Sequence, residues 1–479
     1  MLAFSAASRR TLLFCTAAML AACATPPDLG ARPEPAQPQS YATMRSFAAP
    51  EANWPSDRWW ESYNDPQLSA LIEEALADSP TLAAAAARVR QAEGAAQQAG
   101  ASRYPSVGGE VSTNTSRRDL SADNLPDVIR DSVPSDWTTQ SRAAVTINYQ
   151  LDFFGRNRAS FAQATSAQRA MEAEAASARL QLSTAVALAY ADLIRLSADR
   201  VALEDAAQMR QASLVLVRQR VAAGLENQGQ ADQATSEFAQ ARADLIAADA
   251  ALARTRHQIA ALLGKGPDRG LDIAAPQSLH INAIGLPARV DLDLIGRRPD
   301  LVAARLRAES ASHGIDVARA SYYPNINLAA VIGLQTLGLD RLGSGSLGFA
   351  QAGPAISLPI FQGGALDGQY RGARGAYDEA VALYNQALAD ALREVADAFG
   401  DRRALTAQLS LQQTALQSAE SAYRVAHIRY QGGLISYLDT LSVESNLIEQ
   451  RRAYAEMQAQ ALALDITLVR ALGGGFTTT

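Results

Sequence analysis

Lysine is nearly missing from this 479-residue chain: among 43 basic residues Lys265 is the only one, and 49 acidic residues bring the net charge to -6. That balance gives no electrostatic footprint for a polyanion, so no nucleic-acid partner is expected. Histidine is scarce too. His257, His280, His313 and His427 lie far apart, without the short His/Cys spacing a metal site needs, and they form no catalytic constellation, so neither an enzyme nor a bound cofactor or metal is expected. Gly264-Lys265-Gly266 lacks the remaining residues of a phosphate-binding loop and fits a helix end instead. Two cysteines, Cys15 and Cys23, exclude a disulfide framework. The apolar run from Thr11 to Ala22 falls short of the roughly 20 residues a membrane-spanning helix requires. Aromatic residues make up only 6% of a chain that is 48% hydrophobic, so alanine carries much of the apolar count, a composition of closely packed helices.

What is present begins with Arg9 and Arg10 ahead of that short apolar run, which reads as an export signal; the pair also loosely resembles a twin-arginine signal. The run ends in Leu20-Ala21-Ala22-Cys23, which resembles the lipobox of bacterial lipoproteins. The resemblance implies that residues 1–22 are removed and that Cys23 becomes an acylated N-terminus. Ala24 follows where an inner-membrane retention signal would have Asp, implying sorting to the outer membrane. Residues 23–58 hold Pro26, Pro27, Pro33, Pro35, Pro38, Pro50 and Pro55 and are expected to form an extended tether.

Proline then vanishes twice, between Pro134 and Pro267 and again after Pro359. Proline breaks helices, so its absence permits very long ones. From Arg156 to Ala223 glycine is missing as well, leaving room for one helix about 100 Å long at ~1.5 Å per residue. The two gaps match: Gly224 aligns with Gly433 and Gly264 with Gly473 at one common offset. At a second offset, Pro80, Leu82, Arg88, Ala92, Ala99, Ser102, Tyr104 and Pro105 align with Pro299, Leu301, Arg307, Ala311, Ala318, Ser321, Tyr323 and Pro324. The chain is therefore read as an internal duplication, residues 59–275 and 276–479, each half running from short helices through a strand hairpin to a long helical hairpin.

Within the long arms the apolar positions step by four and three, as in Leu182, Val186, Ala189, Leu193 and Leu196, and again in Leu388, Leu392, Val395 and Phe399, the pattern of coiled-coil packing. Ahead of each arm the period changes to two. Ala143, Val145, Ile147, Tyr149 and Leu151 alternate with polar neighbours, and Ile326, Leu328, Ala330 and Ile332 do likewise. With Ser106 to Thr115 and Gln351 to Leu358 this predicts four strands, joined by loops over Ser116 to Asp136 and Gln335 to Leu347. Four strands cannot close a membrane barrel, and open edges are not tolerated in lipid, so the chain must pool strands with copies of itself.

Arg297-Arg298-Pro299-Asp300-Leu301, followed by Glu309, Ile315, Ala318, Ala320, Tyr323 and Pro324, resembles the helix-into-strand signature of the TolC family of outer-membrane efflux factors, in its OprM- and NodT-like lipoprotein branch. Phe153-Phe154-Gly155 and Phe361-Gln362-Gly363 occupy that family's strand-to-helix junctions. The resemblance runs from about Trp59 to Gly473. It implies a mainly α protein with membrane β structure: a homotrimer in which each chain lends four strands to a twelve-stranded barrel in the outer membrane and long coiled-coil helices to a periplasmic tube. It implies the function of an exit duct for a tripartite pump, passing drugs or other small molecules, with a periplasmic adaptor and an inner-membrane pump of the RND type as partners besides outer-membrane lipid. A second reading is a non-conducting structural or adaptor coiled-coil lipoprotein bridging the envelope. Two equivalent hairpins, each preceded by amphipathic strands, favour the duct.

The same resemblance places the duct's aperture at the helical turns. Leu438 and Asp439 match an apolar and an acidic ring; three carboxylates facing one axis would raise each other's pKa and bind cations. Gln230 stands where relatives often carry an acid, with Asp232 two residues on. Tyr430, Ser436 and Arg220 are candidates for inter-helix bonds that hold the aperture shut, and Gly224, Leu225, Gly432, Gly433 and Ser436 for the tips on which an adaptor docks. Each of these could equally be an ordinary helix-surface residue.

Overall fold

The computed structural model describes residues 25–117, 137–274, 285–337 and 347–477. The export signal, Cys23, His280, the boundary between the two halves and most of both strand-connecting loops fall outside them. In chain order come α1 (Pro66–Asp78), α2 (Pro80–Ala101), β1 (Ser106–Arg117), β2 (Trp137–Leu151), α3 (Arg156–Ala222), α4 (Gln228–Leu262) and the single turn α5 (Asp268–Leu271). After them follow α6 (Val290–Arg297), α7 (Pro299–Ala320), β3 (Asn325–Leu337), β4 (Leu347–Ser357), α8 (Ala365–Gln431) and α9 (Tyr437–Ala471). The same order of elements occurs twice. The two long helices, α3 and α8, have 67 residues each, and their return arms, α4 and α9, have 35 each.

The repeat lengths agree because the stops are chemically the same. At Gly224, Gly264, Gly433 and Gly473 the backbone takes φ of 71°, 72°, 73° and 91°. At each, the following amide reaches back to close a Schellman turn, as in Leu225 N to Arg220 O (2.8 Å) and Leu434 N to Arg429 O (2.8 Å). These are the four glycines that align in the sequence, and only glycine enters this region without a Cβ penalty.

The chain divides into two compact units. One comprises the described residues up to Glu34 with Arg90–Arg169 and Leu306–Val381, and holds the sheet. Its strands pair antiparallel in the order β1-β2-β3-β4, leaving β1 and β4 as open edges. Pro354, which cannot donate to a ladder, is tolerated in β4 because β4 is an edge. The register sets Val107, Ile147 and Ala330 on one face, flanked by Val145 and Ile332, and Gln150, Asn327 and Asn148 on the other. The apolar face is exposed: Val107 keeps 70% of its surface and Ile332 62%. Strand β3 runs on to Leu337, three residues into the segment expected to be loop, and β4 begins at Leu347 rather than Gln351. Cross-strand pairing of Gln335 with both Arg142 and Leu347 extends the hairpin past the point where the alternating pattern fades.

The other unit comprises Pro35–Val89, Ala170–Arg305 and Ala382–Thr479. Its largest core gathers Trp59, Trp60, Tyr63, Leu68, Leu71 and Ile72 against Val186, Tyr190 and Leu193 of α3, Ile259 of α4 and Ile466 of α9. A second core joins Leu294 and Leu301 to Leu388, Val395 and Phe399 of α8. The signature residue Arg298 is buried here, its guanidinium bonded to Asp300 (2.6 Å), Glu394 (2.8 Å) and the carbonyl of Ala471 at the C-terminus of α9 (3.3 Å). The proline-rich segment is docked rather than free: Tyr377 donates to Pro33 O (2.9 Å), Arg374 bonds the carbonyls of Gly30 and Ala31, and Asn385 accepts from Ala36 N (2.8 Å).

Candidate functional site

The α3–α4 and α8–α9 turns lie in the second unit, where their side chains meet. Tyr430 and Tyr437 are each 1% exposed, their rings 6.0 Å apart, packed with Leu214, Val217, Ala231 and Ala234. Burial pushes both hydroxyls up to about 12, with the Glu226 carboxylate adding to the effect on Tyr430 and that of Glu444 on Tyr437.

Arg220, in the last turn of α3, bridges the two hairpins. It donates through Nη1 to the carbonyl of Tyr430 (3.2 Å), its guanidinium lies 4.8 Å from the centre of the Tyr430 ring, and its Nε is 3.5 Å from Glu226. A cation against the last carbonyls of α8 also complements that helix's dipole. Of the sequence-based candidates for bonds between hairpins, Arg220 and Tyr430 are brought together.

Ser436 is not part of that bridge. It caps its own helix: Ser436 Oγ accepts from Asp439 N (3.2 Å), and Asp439 Oδ2 accepts from Ser436 N (3.1 Å) and Ser436 Oγ (2.7 Å). The equivalent turn carries the same capping box between Asn227 and Gln230, with Gln230 N donating to Asn227 Oδ1 (3.1 Å) and Asn227 N to Gln230 Oε1 (2.9 Å). Gln230 and Asp439 are thus structural equivalents, each closing the cap of its own helix. Within the chain the Ser436 hydroxyl and amide hold the exposed Asp439 carboxyl below its usual range. Asp232 accepts from Gln228 (3.0 Å) on the same helix. Leu225, Leu434 and Leu438 are 65%, 72% and 61% exposed, an apolar fringe around the turns; Gly224 and Gly433 shape it through their positive φ.

Further along the same helices lies a layer that the sequence reading missed. Glu444 of α9 is 0% exposed and Arg210 of α3 is 7%. They approach to 3.3 Å; Ser213 Oγ donates to Glu444 Oε2 (2.8 Å), Arg210 Nη2 donates to Ser445 Oγ (2.8 Å), and Glu237 of α4 stands 3.7 Å from Arg210. Burial raises the Glu444 carboxyl above its ordinary value, and Arg210 only partly offsets this. Beyond it Arg451 faces Asp205 (3.8 Å) and Arg452 bonds Asp199 (2.7 Å). A signal was available: Leu203, Ala207, Arg210, Leu214 and Val217 step by four and three, as do Tyr437, Thr440, Glu444 and Leu447, which puts one charge at a core position of each helix. A lone charge in such a stripe requires a partner.

An open-edged four-stranded sheet with one exposed apolar face, and two capped helical hairpins bolted together at their turns, define a channel-forming outer-membrane protein that is completed by copies of itself. The model of the outer membrane efflux protein family matches residues 71–265 and 293–474, and the chain belongs to that family. It is 35% identical to the fusaric acid resistance protein FusA of Burkholderia cepacia over 67% of this chain and 60% of that protein. It is 28% identical to the multidrug resistance outer membrane protein MdtP of Shigella flexneri over 92% of this chain and 91% of MdtP. The crystal structure of the outer membrane protein VceC from Vibrio cholerae superposes with a TM-score of 0.82 at 40% identity, over 88% of this chain and 100% of VceC. The chain is accordingly a TolC-type outer-membrane efflux channel of a tripartite pump, working as a homotrimer with its helical tube in the periplasm.

Proposed function

We propose that the paired turns are the periplasmic gate of this duct and that the bonds between hairpins hold it shut. The observation that carries the reading is Arg220, which ties the end of α3 to the carbonyl and the ring of Tyr430 near the end of α8. Opening separates the hairpins and must break that tie, so the closed state is favoured by the energy of the bonds lost. The buried Arg210–Glu444 pair sits above it as a second, stiffer fastening. In the trimer Leu438 and Asp439 supply the apolar and acidic rings of the aperture, with Gln230 and Asp232 beside them. The exposed Leu225, with Gly224, Gly432, Gly433 and Ser436, forms the tip to which a periplasmic adaptor docks.

The finer assignments extend this reading. Residues 1–22 are the export signal, acylated Cys23 anchors the chain in outer-membrane lipid, residues 23–58 strap the anchor to the body, and residues 59–275 and 276–479 are the two repeats. The duct catalyses nothing; a pump of the RND type drives transport. FusA and MdtP are named for resistance to fusaric acid and to multiple drugs, and small organic molecules are the proposed cargo. Planar-bilayer recording tests the gate. Trimers of Arg220→Ala are expected to conduct several-fold more than the wild type, and an unchanged conductance removes Arg220 from the gate.

A further inference from the structure

Because β1 to β4 are consecutive and antiparallel, the start of β1, the end of β2, the start of β3 and the end of β4 lie at one end of the sheet. Each of those ends carries an exposed aromatic side chain: Tyr104, Phe153 and Phe154, Tyr323, and Phe361. Arginines flank these rings, Arg103 in the turn after α2, Arg156 and Arg158 at the start of α3, and Arg319 at the end of α7. Rings backed by guanidinium groups are the chemistry of a bilayer surface, where aromatic side chains sit at headgroup depth and cations meet phosphate.

Part of this belt is hollow. A cavity of about 620 Å³ is lined by Phe154, Arg158, His313, Asp316, Arg319 and Tyr323. One wall is the stacked pair Phe154 and Tyr323, centroids 4.8 Å apart. Its charges do not balance. Asp316 already faces Arg32 (3.7 Å) and His313 (3.9 Å), His313 also stands 4.0 Å from Glu309, and Arg158 bonds the Asp152 carboxylate through Nε and the Asp152 carbonyl through Nη2 (3.3 Å each), keeping the N–H donors of Nη1. The exposed guanidinium of Arg319 has no partner among the described residues. The lining therefore presents surplus positive charge beside an apolar wall.

Two observations bear on where the cavity faces. It sits at the ends of β2 and β3, the centre of the sheet, away from β1 and β4, the unpaired edges through which further copies would join. Arg32, which reaches its rim, follows a few residues after Cys23, and that stretch is held to the same unit by Arg374 at Gly30 and Ala31. On the proposed reading of Cys23 as the lipid anchor, the rim of the cavity lies only a few residues from that anchor in sequence.

We propose that this cavity is a headgroup site for an anionic phospholipid of the inner leaflet, in which Arg319 and the free donors of Arg158 take the phosphate and the Phe154–Tyr323 stack meets the first methylenes of the acyl chains. It would fix the depth of each protomer in the membrane at a point away from the seams.

Native mass spectrometry of the detergent-extracted trimer, supplied with dioleoyl phosphatidylglycerol or the zwitterionic dioleoyl phosphatidylcholine, tests the site. The wild type is expected to retain phosphatidylglycerol preferentially. Arg319→Gln should weaken that retention about fivefold, the effect of one arginine at an anionic surface, whereas Arg393→Gln, an exposed arginine on α8 in the other unit, should not. Equal retention by the wild type and Arg319→Gln trimers, or loss in both variants alike, overturns the proposal. Millimolar inorganic phosphate separates the sources: retention that survives it supports a lipid, and displacement by phosphate alone overturns the lipid assignment in favour of a free anion.

Discussion

Ser213 of α3 donates a 2.8 Å hydrogen bond to Glu444 of α9, across 231 residues of sequence and in full burial. With Arg210 on the same carboxylate, that bond joins the outgoing arm of one hairpin to the return arm of the other. Sequence-distant contacts of this kind, rather than the capped turns themselves, are what make the two hairpins one object.

Removing the Glu444 side chain leaves the buried Arg210 with only Ser445 and the more distant Glu237 carboxylate. Glu444→Ala is expected to cost about 3 kcal/mol, the lower end for breaking a buried pair, and to lower the thermal midpoint of the solubilised trimer; Glu444→Gln, which still accepts from Ser213, should cost less. The pH dependence has a definite sign. Burial raises the carboxyl in the folded state, with Arg210, Ser213 and His427 pulling the other way and Glu237 adding to the rise. The folded chain therefore holds that proton more tightly than the unfolded one. This contribution is complete below the ordinary value of 4.5 and is lost as pH climbs through the raised folded value. Glu444→Gln should flatten that decline; an identical slope would show that Glu444 does not titrate there.

Ser436 and Asp439 give the opposite case. The Ser436 hydroxyl and amide depress the Asp439 carboxyl below its ordinary 3.8, so the cap's charge is present above that value and is lost as pH falls through the depressed one. Ser436→Ala removes one of the two bonds. The pH at which the channel loses cation preference, read from reversal potentials in a salt gradient, should move upward; a fixed midpoint would separate Asp439 from selectivity.

The four aligned glycines are not equally replaceable. At Gly224 a Cβ meets nothing within 4 Å, so Gly224→Ala should cost only the left-handed strain of about 1–2 kcal/mol. At Gly473 the added carbon would overlap the carbonyl of Arg297, next to the buried Arg298. Gly473→Ala should therefore destabilise the trimer much more, and comparable midpoints for the two variants would contradict the packing described.

Much of this was legible beforehand, for reasons specific to particular residues. Proline gaps and positive-φ glycines act locally, so Arg156 and Gly224 bounded a helix that in fact ends at Ala222. The alternation through Val145 and Ile332 marked β2 and β3, but Gln335 joins its strand through its partners, and pairing is invisible to a single segment. The pattern Ser436-x-x-Asp439 is a capping box readable in the sequence, because the cap and its acid lie three residues apart on one chain segment. Arg210 and Glu444 were the harder case. Their core positions could be counted from the repeat, but the arms on which they lie come together only in the folded chain.

If these cross-hairpin bonds set the width of the trimer's periplasmic tip, as proposed, loosening them must widen it. Leu438 is exposed, and the only cysteines in the chain are Cys15 and Cys23, so a nitroxide at Leu438→Cys reports the spacing of three equivalent tips by pulsed electron resonance. Combining it with Arg220→Ala and Glu444→Gln should shift the inter-label distances to longer values. A distribution that stays where the wild-type bonds place it would contradict the claim.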